Sequence, residues 1–101
     1  MPRRAFKQVP LTNGAAVIVI NRADRRRRLS LVPSTAVTVW IGDSENITNA
    51  TGYPCTQSLP FPSCLHNLDV TQELWCYATA AGLYLSVYEE FYTEQEWDAM
   101  P

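Results

Sequence analysis

Residues 73–89 read as two strands because aliphatic or small residues alternate with aromatic or polar ones on either side of a short break. Leu74, Cys76 and Ala78 alternate with Trp75, Tyr77 and Thr79; after the small-residue break Ala80–Gly82, Leu83, Leu85 and Val87 alternate with Tyr84, Ser86 and Tyr88. A period of two sends successive side chains to opposite faces of a strand, so each segment has one face to bury and one left over. A helix would scatter the same residues around its circumference. Such a chain must build a sheet, and it needs further strands to pair with.

Those strands are present in the pattern. Val37 to Ile41 alternates Val-Thr-Val-Trp-Ile and stops at Gly42, and Ala15 to Ile20 is β-branched and short enough for a buried strand. Leu29 and Leu31 share a face over residues 27–32, which Pro33-Ser34 ends, and residues 6–9 form a short first strand ended by Pro10. Asn13-Gly14 is a tight-turn signal and 21–25 a polar turn. Residues 53–68 hold Pro54, Pro60 and Pro62 and admit one short edge strand at most. Short strands at regular spacing predict an all-β chain: a single small β-sandwich or jelly-roll-like domain, its core over about residues 6–90. Residues 91–101 are left as an acidic C-terminal arm with a short helical turn. At 101 residues, 47% hydrophobic and 18% charged, one such domain buries roughly two-thirds of its unfolded surface.

Charge is segregated along the chain. Residues 1–28 carry all eight cations (Arg3, Arg4, Lys7, Arg22, Arg25, Arg26, Arg27 and Arg28) against Asp24, a net +7. Residues 29–101 carry nine carboxylates and no cation, so the overall −2 hides two blocks of opposite sign. The expectation is a polarised molecule that docks on a copy of itself or on a larger charged assembly, complementary potentials steering the encounter.

Other classes find little support. The longest apolar run, Ala15 to Ile20, is too short to span a bilayer, and the Met-Pro-Arg-Arg start lacks the continuous apolar stretch of a signal peptide, so no membrane association is expected. Three cysteines, an odd number, argue for reduced, largely buried thiols, although Cys55 and Cys64 bracket a Pro-rich loop that an oxidising compartment would let them close. Cys55, Cys64, His66 and Cys76 are legitimate metal ligands, but no C-x-x-C spacing makes a chelating knuckle; neither metal nor cofactor is expected. Asn46-Ile47-Thr48 and Asn49-Ala50-Thr51 match the glycosylation sequon and, without a secretion signal, read as polar turn residues making local side-chain to backbone bonds. His66 is the single imidazole, with no nucleophile, acid pair or phosphate loop placed beside it, so no enzyme activity is expected.

The segment 21–42, NRADRRRRLSLVPSTAVTVWIG, joins an Asn-rich turn, an arginine-led Leu-x-Leu strand and a strand ending in Trp-Ile-Gly; a Ser/Asn/Thr loop, a Gly-Tyr-Pro step and ELWCYATAAGLYLSVYEE over 73–90 follow. This layout, over about residues 9–90, resembles a loose group of roughly hundred-residue virion structural proteins of tailed bacteriophages. The resemblance implies a small β-sandwich serving as a head decoration or cement protein, or as a fibre base. It further implies a virion location after assembly in the host cytoplasm, with a major capsid or tail and fibre protein as partner. The four consecutive arginines, the Pro-rich loop and the acidic tail depart from that pattern. The group has no catalytic motif, so no residue role is carried over.

Three features are candidates for the docking surface. Arg22 and Arg25 to Arg28 neutralise phosphates or pair with a neighbour's carboxylates, or form a solvated turn. In a strand they alternate faces and no aromatics interleave with them, which argues against nucleic acid as a partner. Trp40, Trp75, Tyr77, Tyr84 and Tyr88 occupy outer faces of three strands and, if those strands are neighbours, make one aromatic patch. The chain's own Pro-rich loop, another subunit in a homo-oligomer, or stacked sugar rings would cover it; the last makes a carbohydrate- or ligand-binding module one competing class, a host-directed phage inhibitor protein being another. Finally, Thr93-Glu94-Gln95-Glu96 matches a capping box, with Tyr92 and Trp97 at the positions of a hydrophobic staple. A helix this short must pack on something. Trp97 is its anchor, on its own domain or in a neighbour's groove, and the expectation is a hooked acidic arm reaching a partner's basic region.

Overall fold

The computed structural model describes residues 3–61 and 71–100. It contains β1 (Arg4–Pro10), β2 (Ala16–Ile20), β3 (Arg26–Pro33), β4 (Val39–Gly42), β5 (Tyr53–Cys55), β6 (Leu74–Tyr77), β7 (Tyr84–Phe91) and α1 (Glu94–Asp98). The strands form two antiparallel sheets, ordered β1-β7-β3 and β2-β6-β4-β5, in a body about 43 Å long and 22 Å across. The all-β expectation holds, and the arrangement is β-sandwich-like. No helix among the described residues is long and apolar enough to cross a membrane.

The alternation seen in the sequence is what joins the sheets. Leu29, Leu31, Leu85 and Val87 from one sheet and Val19, Val39, Ile41, Leu74 and Cys76 from the other are all buried in a single cluster with Phe61 and Cys55. Burying a Leu or Val side chain contributes about 1.5–3 kcal/mol, so this inner layer supplies most of the drive to fold. Cys55 and Cys76 are both buried. Cys64 and His66, and with them the proposed disulfide and the metal set, lie outside the described residues.

Two turns require left-handed backbone. Gly14, after Asn13, and Gly82, closing the Ala80–Gly82 break, both sit at φ 76°, a region that costs an L-residue about 1–2 kcal/mol. The sequons behave as local turn residues through their threonines: Thr51 Oγ1 accepts from the Thr48 amide at 2.9 Å and Thr48 Oγ1 from the Ala50 amide at 3.1 Å.

Folding redistributes the charge. β1 and β3 begin, and β7 ends, at the same end of the body, where Arg4 stands opposite Glu90 and Arg26 opposite Phe91. The 21–25 connection, Asp43 and Glu45 beyond β4, Glu73 before β6 and the arm after β7 lie there too. The connections at the other end, 11–15, 34–38, 56–59 and 78–83, contain no Asp, Glu, Lys or Arg. The two sequence blocks of opposite sign therefore meet at one end. The expected separation of positive from negative ends does not form, because antiparallel pairing brings the start of the chain beside its finish.

Candidate interaction surface

The four sheet margins are treated very differently. β5 spans only three residues and carries Pro54 in its centre, which cannot donate to a further strand. β2 has an irregular register at Val19, between Ile18 and Ile20, and β3 another between Arg26 and Arg28; such bulges twist an edge out of pairing geometry. The β3 margin is also occupied, since Leu31 and Phe61 exchange backbone bonds at 3.1 and 3.4 Å and Gln57 Nε2 donates to the Pro33 carbonyl at 3.2 Å.

The seven-residue β1 has none of these devices in its interior. Its register against β7 runs unbroken from Arg4–Glu90 to Pro10–Tyr84. The parity is fixed at both ends, where the Phe91 amide donates to the Arg3 carbonyl at 2.7 Å and the Leu11 amide to the Leu83 carbonyl at 2.9 Å. Antiparallel pairing alternates, so Ala5, Lys7 and Val9 bond to β7 while the amides and carbonyls of Arg4, Phe6 and Gln8 point away from the sheet. No described group meets them. Phe6 is 70% exposed beside Tyr88 on the outer face. Lys7 is aligned with the inner-face Val87 yet stays exposed at the margin. Sequence reasoning placed this strand but missed its edge. The available signal was a large aromatic set between Arg4, Lys7 and Gln8, which would leave it without cover.

The arginine run does not present one surface. Arg26 is only 2% exposed; it meets Glu89 at 3.3 Å, donates to the Asn21 carbonyl at 2.6 Å and to that of Gln72 at 3.4 Å. It fastens the 21–25 turn and the approach to β6 onto β7, and burial removes it from the expected docking set. Arg27 meets Glu96 at 3.2 Å and Glu90 at 3.7 Å, and Arg3 meets both carboxylates at 3.7 Å. Arg25 lies over the Trp97 ring at 5.3 Å and Arg27 over Tyr92 at 5.8 Å. Arg22 pairs with Asp24 in solvent, and Arg28 is exposed.

These contacts seat the arm on its own domain, one of the two places expected for Trp97. The capping box is present, with Thr93 Oγ1 accepting from the Glu96 amide and Glu96 Oε1 from the Thr93 amide, both at 3.1 Å. Tyr92 and Trp97 pack at 6.1 Å between ring centroids. The basic region that receives the arm is the chain's own: the Tyr92 amide donates to the Arg25 carbonyl at 2.9 Å, anchoring the arm to the start of β3. Hydrogen bonds from Thr93, first from its backbone amide and then from its side chain, hold the Glu96 carboxyl below its ordinary pKa; desolvation opposes them less strongly, and Arg3 and Arg27 add the weakest lowering effects.

The aromatic row is divided. Trp40, Trp75 and Tyr77 lie on the sheet containing β4 and β6, whereas Tyr84 and Tyr88 lie on β7 in the other sheet. The single patch required β6 and β7 to be neighbours, and the 78–83 connection instead crosses between sheets. Trp40 and Tyr77 meet edge to face at 6.4 Å, and the Trp75 indole donates to Glu73 at 2.8 Å. The β4–β5 connection covers part of this face: a Cβ on Gly42 would run into Ile47, and one on Gly52 would stand 2.7 Å from the Trp40 Cβ. At the uncharged end, a shallow cleft of about 290 Å³ is lined by Ala36, Val37, Thr38, Thr56, Gln57 and Ser58, none of them titratable.

Comparison of the chain with protein families, with curated proteins and with solved structures finds no match.

Proposed function

We propose that this chain is a non-enzymatic structural protein that works by protein–protein association, and that the assembly it joins is a bacteriophage virion, as a head decoration or cement protein or as a fibre base. The observation that carries the association reading is the open β1 edge. Three sheet margins are closed by proline, bulge or cover, while the fourth is regular, seven residues long and topped by an exposed phenylalanine. An edge of that kind is a template for another strand, and small β proteins leave one open at a cost in solubility. The virion setting rests on the resemblance of residues 9–90 to virion proteins of tailed phages.

The test is immunogold labelling of purified tailed-phage particles from lysates containing the chain, with an antibody raised against it. Labelled heads or tail bases are the expected result, at a copy number fixed by particle symmetry. Antigen found wholly in the particle-free fraction overturns the virion setting.

A further inference from the structure

We infer that β1 accepts an extended acidic segment of a partner protein as a fourth strand of its sheet, and that the segment carries two carboxylates three residues apart with apolar residues between them. The inference rests on the association reading above and names the partner's chemistry.

The backbone defines the seat. Outward donors and acceptors at Arg4, Phe6 and Gln8 match the repeat of an added strand, and Pro10 ends the edge by having no N–H to offer. Such ladders give affinity without selecting a sequence, so selection falls to the side chains on either side of the edge. Arg4, Phe6 and Gln8 lie on the outer face, level with Glu90, Tyr88 and Ser86; Ala5, Lys7 and Val9 lie on the inner face.

Charge decides the occupant. Neither Arg4 nor Lys7 has an ion pair among the described residues. The carboxylate level with Arg4, Glu90, is engaged by Arg3 and Arg27, with Arg28 on its far side in register. The margin therefore carries two cations, Arg4 and Lys7, and no carboxylate of its own. A second copy of β1 would bring Arg4 and Lys7 into the field of the same two residues, and a lysine on the inward side of an edge strand is a known device against self-pairing. The same lysine attracts an acidic strand. Positions 4 and 7 are an odd number apart, so their side chains fall on opposite faces. A partner must therefore place one carboxylate opposite Arg4 on the outer face and another opposite Lys7 on the inner face. Apolar residues between them meet Ala5 and Phe6. The pattern Glu-Val-Val-Glu reads the same in both directions, so it fits a parallel or an antiparallel strand.

The probe is an end-capped Ser-Glu-Val-Val-Glu-Ser peptide titrated into the intact chain, followed by backbone amide NMR and hydrogen exchange. Saturable shifts and slowed exchange at the amides of Arg4, Phe6 and Gln8 are expected. Gln8→Pro removes one outward donor without touching the β7 ladder and should weaken binding about 3- to 10-fold. Arg4→Glu with Lys7→Glu should weaken it at least about 10-fold, and a Ser-Lys-Val-Val-Lys-Ser peptide should not bind. Unchanged thermal unfolding verifies that the variants fold. Absence of binding by the acidic peptide at millimolar concentration overturns the inference, as does binding indifferent to these substitutions or equal binding of the lysine peptide. So does dimerisation of the free chain through β1 in sedimentation, which would make a second copy the occupant. Particle labelling without peptide binding removes only this inference, whereas peptide binding without particle labelling removes only the virion setting.

Discussion

The two ends of the body are built on different physics. At one end Arg26 is buried against Glu89, and Arg3 and Arg27 grip Glu90 and Glu96, so three chain segments distant in sequence are tied by ions. At the other end none of the described residues is charged. Gly14 and Gly82 turn the chain at φ 76°, Ser34 and Tyr84 exchange bonds at 2.9 and 3.3 Å, and Leu11 is held to Leu83 by a 2.9 Å backbone bond. A charge asymmetry along a sequence is therefore no guide to a dipole in space. Antiparallel strands bring the blocks together, and the asymmetry that survives is charged against uncharged.

The largest test of that contrast is Arg26→Ala. It leaves Glu89 buried without its cation and should cost about 3–5 kcal/mol in urea unfolding. The double variant Arg26→Met with Glu89→Leu should recover most of the loss, since two apolar side chains of similar volume need no partner. A loss under about 1 kcal/mol for the single variant would show that the charged end is held by something other than this pair.

The uncharged end answers to a smaller change. Gly82→Ala forces a Cβ into left-handed backbone with open space around it, so the cost is conformational, about 1–2 kcal/mol. Raising salt from low to near-molar should leave this loss unaltered, whereas ion pairs at the rim of the charged end weaken as the screening length falls to about 3 Å. Salt dependence of equal size at both ends would erase the distinction.

What was legible in the sequence follows the same division between local and distant. The alternation at 73–79 and 83–89, the Asn13-Gly14 turn and the capping box are each decided by residues within a few positions, and each is found where it was read. Alternation tells the two faces of a strand apart but not its neighbours, so it leaves open whether Trp75 and Tyr84 share a surface, and they lie on different sheets. Arg26 faces inward and Arg27 outward because of a bulge against β7, and Glu89 lies 63 residues away. No local pattern encodes that. Phe6 set among Arg4, Lys7 and Gln8 signals exposure of β1, but that β1 is an edge is a property of topology that no local pattern encodes.

The smallest effect concerns the arm. Thr93→Ala removes the cap and should cost about 1 kcal/mol, read as faster exchange at the Glu96 and Trp97 amides rather than as global unfolding. Its pH dependence follows from Glu96, whose folded pKa is lowered mainly by the Thr93 hydrogen bonds. A lowered pKa means that the folded arm binds the carboxylate form better than the unfolded chain does. That contribution is complete above the ordinary glutamate value of about 4.3 and is lost as pH falls through the lowered one. Protonation also weakens the contacts to Arg3 and Arg27, so α1 should loosen before the sheets do. Trp97 fluorescence, followed from pH 7 to about pH 2, should report an acid transition local to the arm, while near-ultraviolet circular dichroism of the sandwich changes later. Glu96→Gln should flatten the Trp97 transition, because it leaves nothing at that position to titrate. A transition that survives the substitution would show that the arm's acid sensitivity does not come from its own cap.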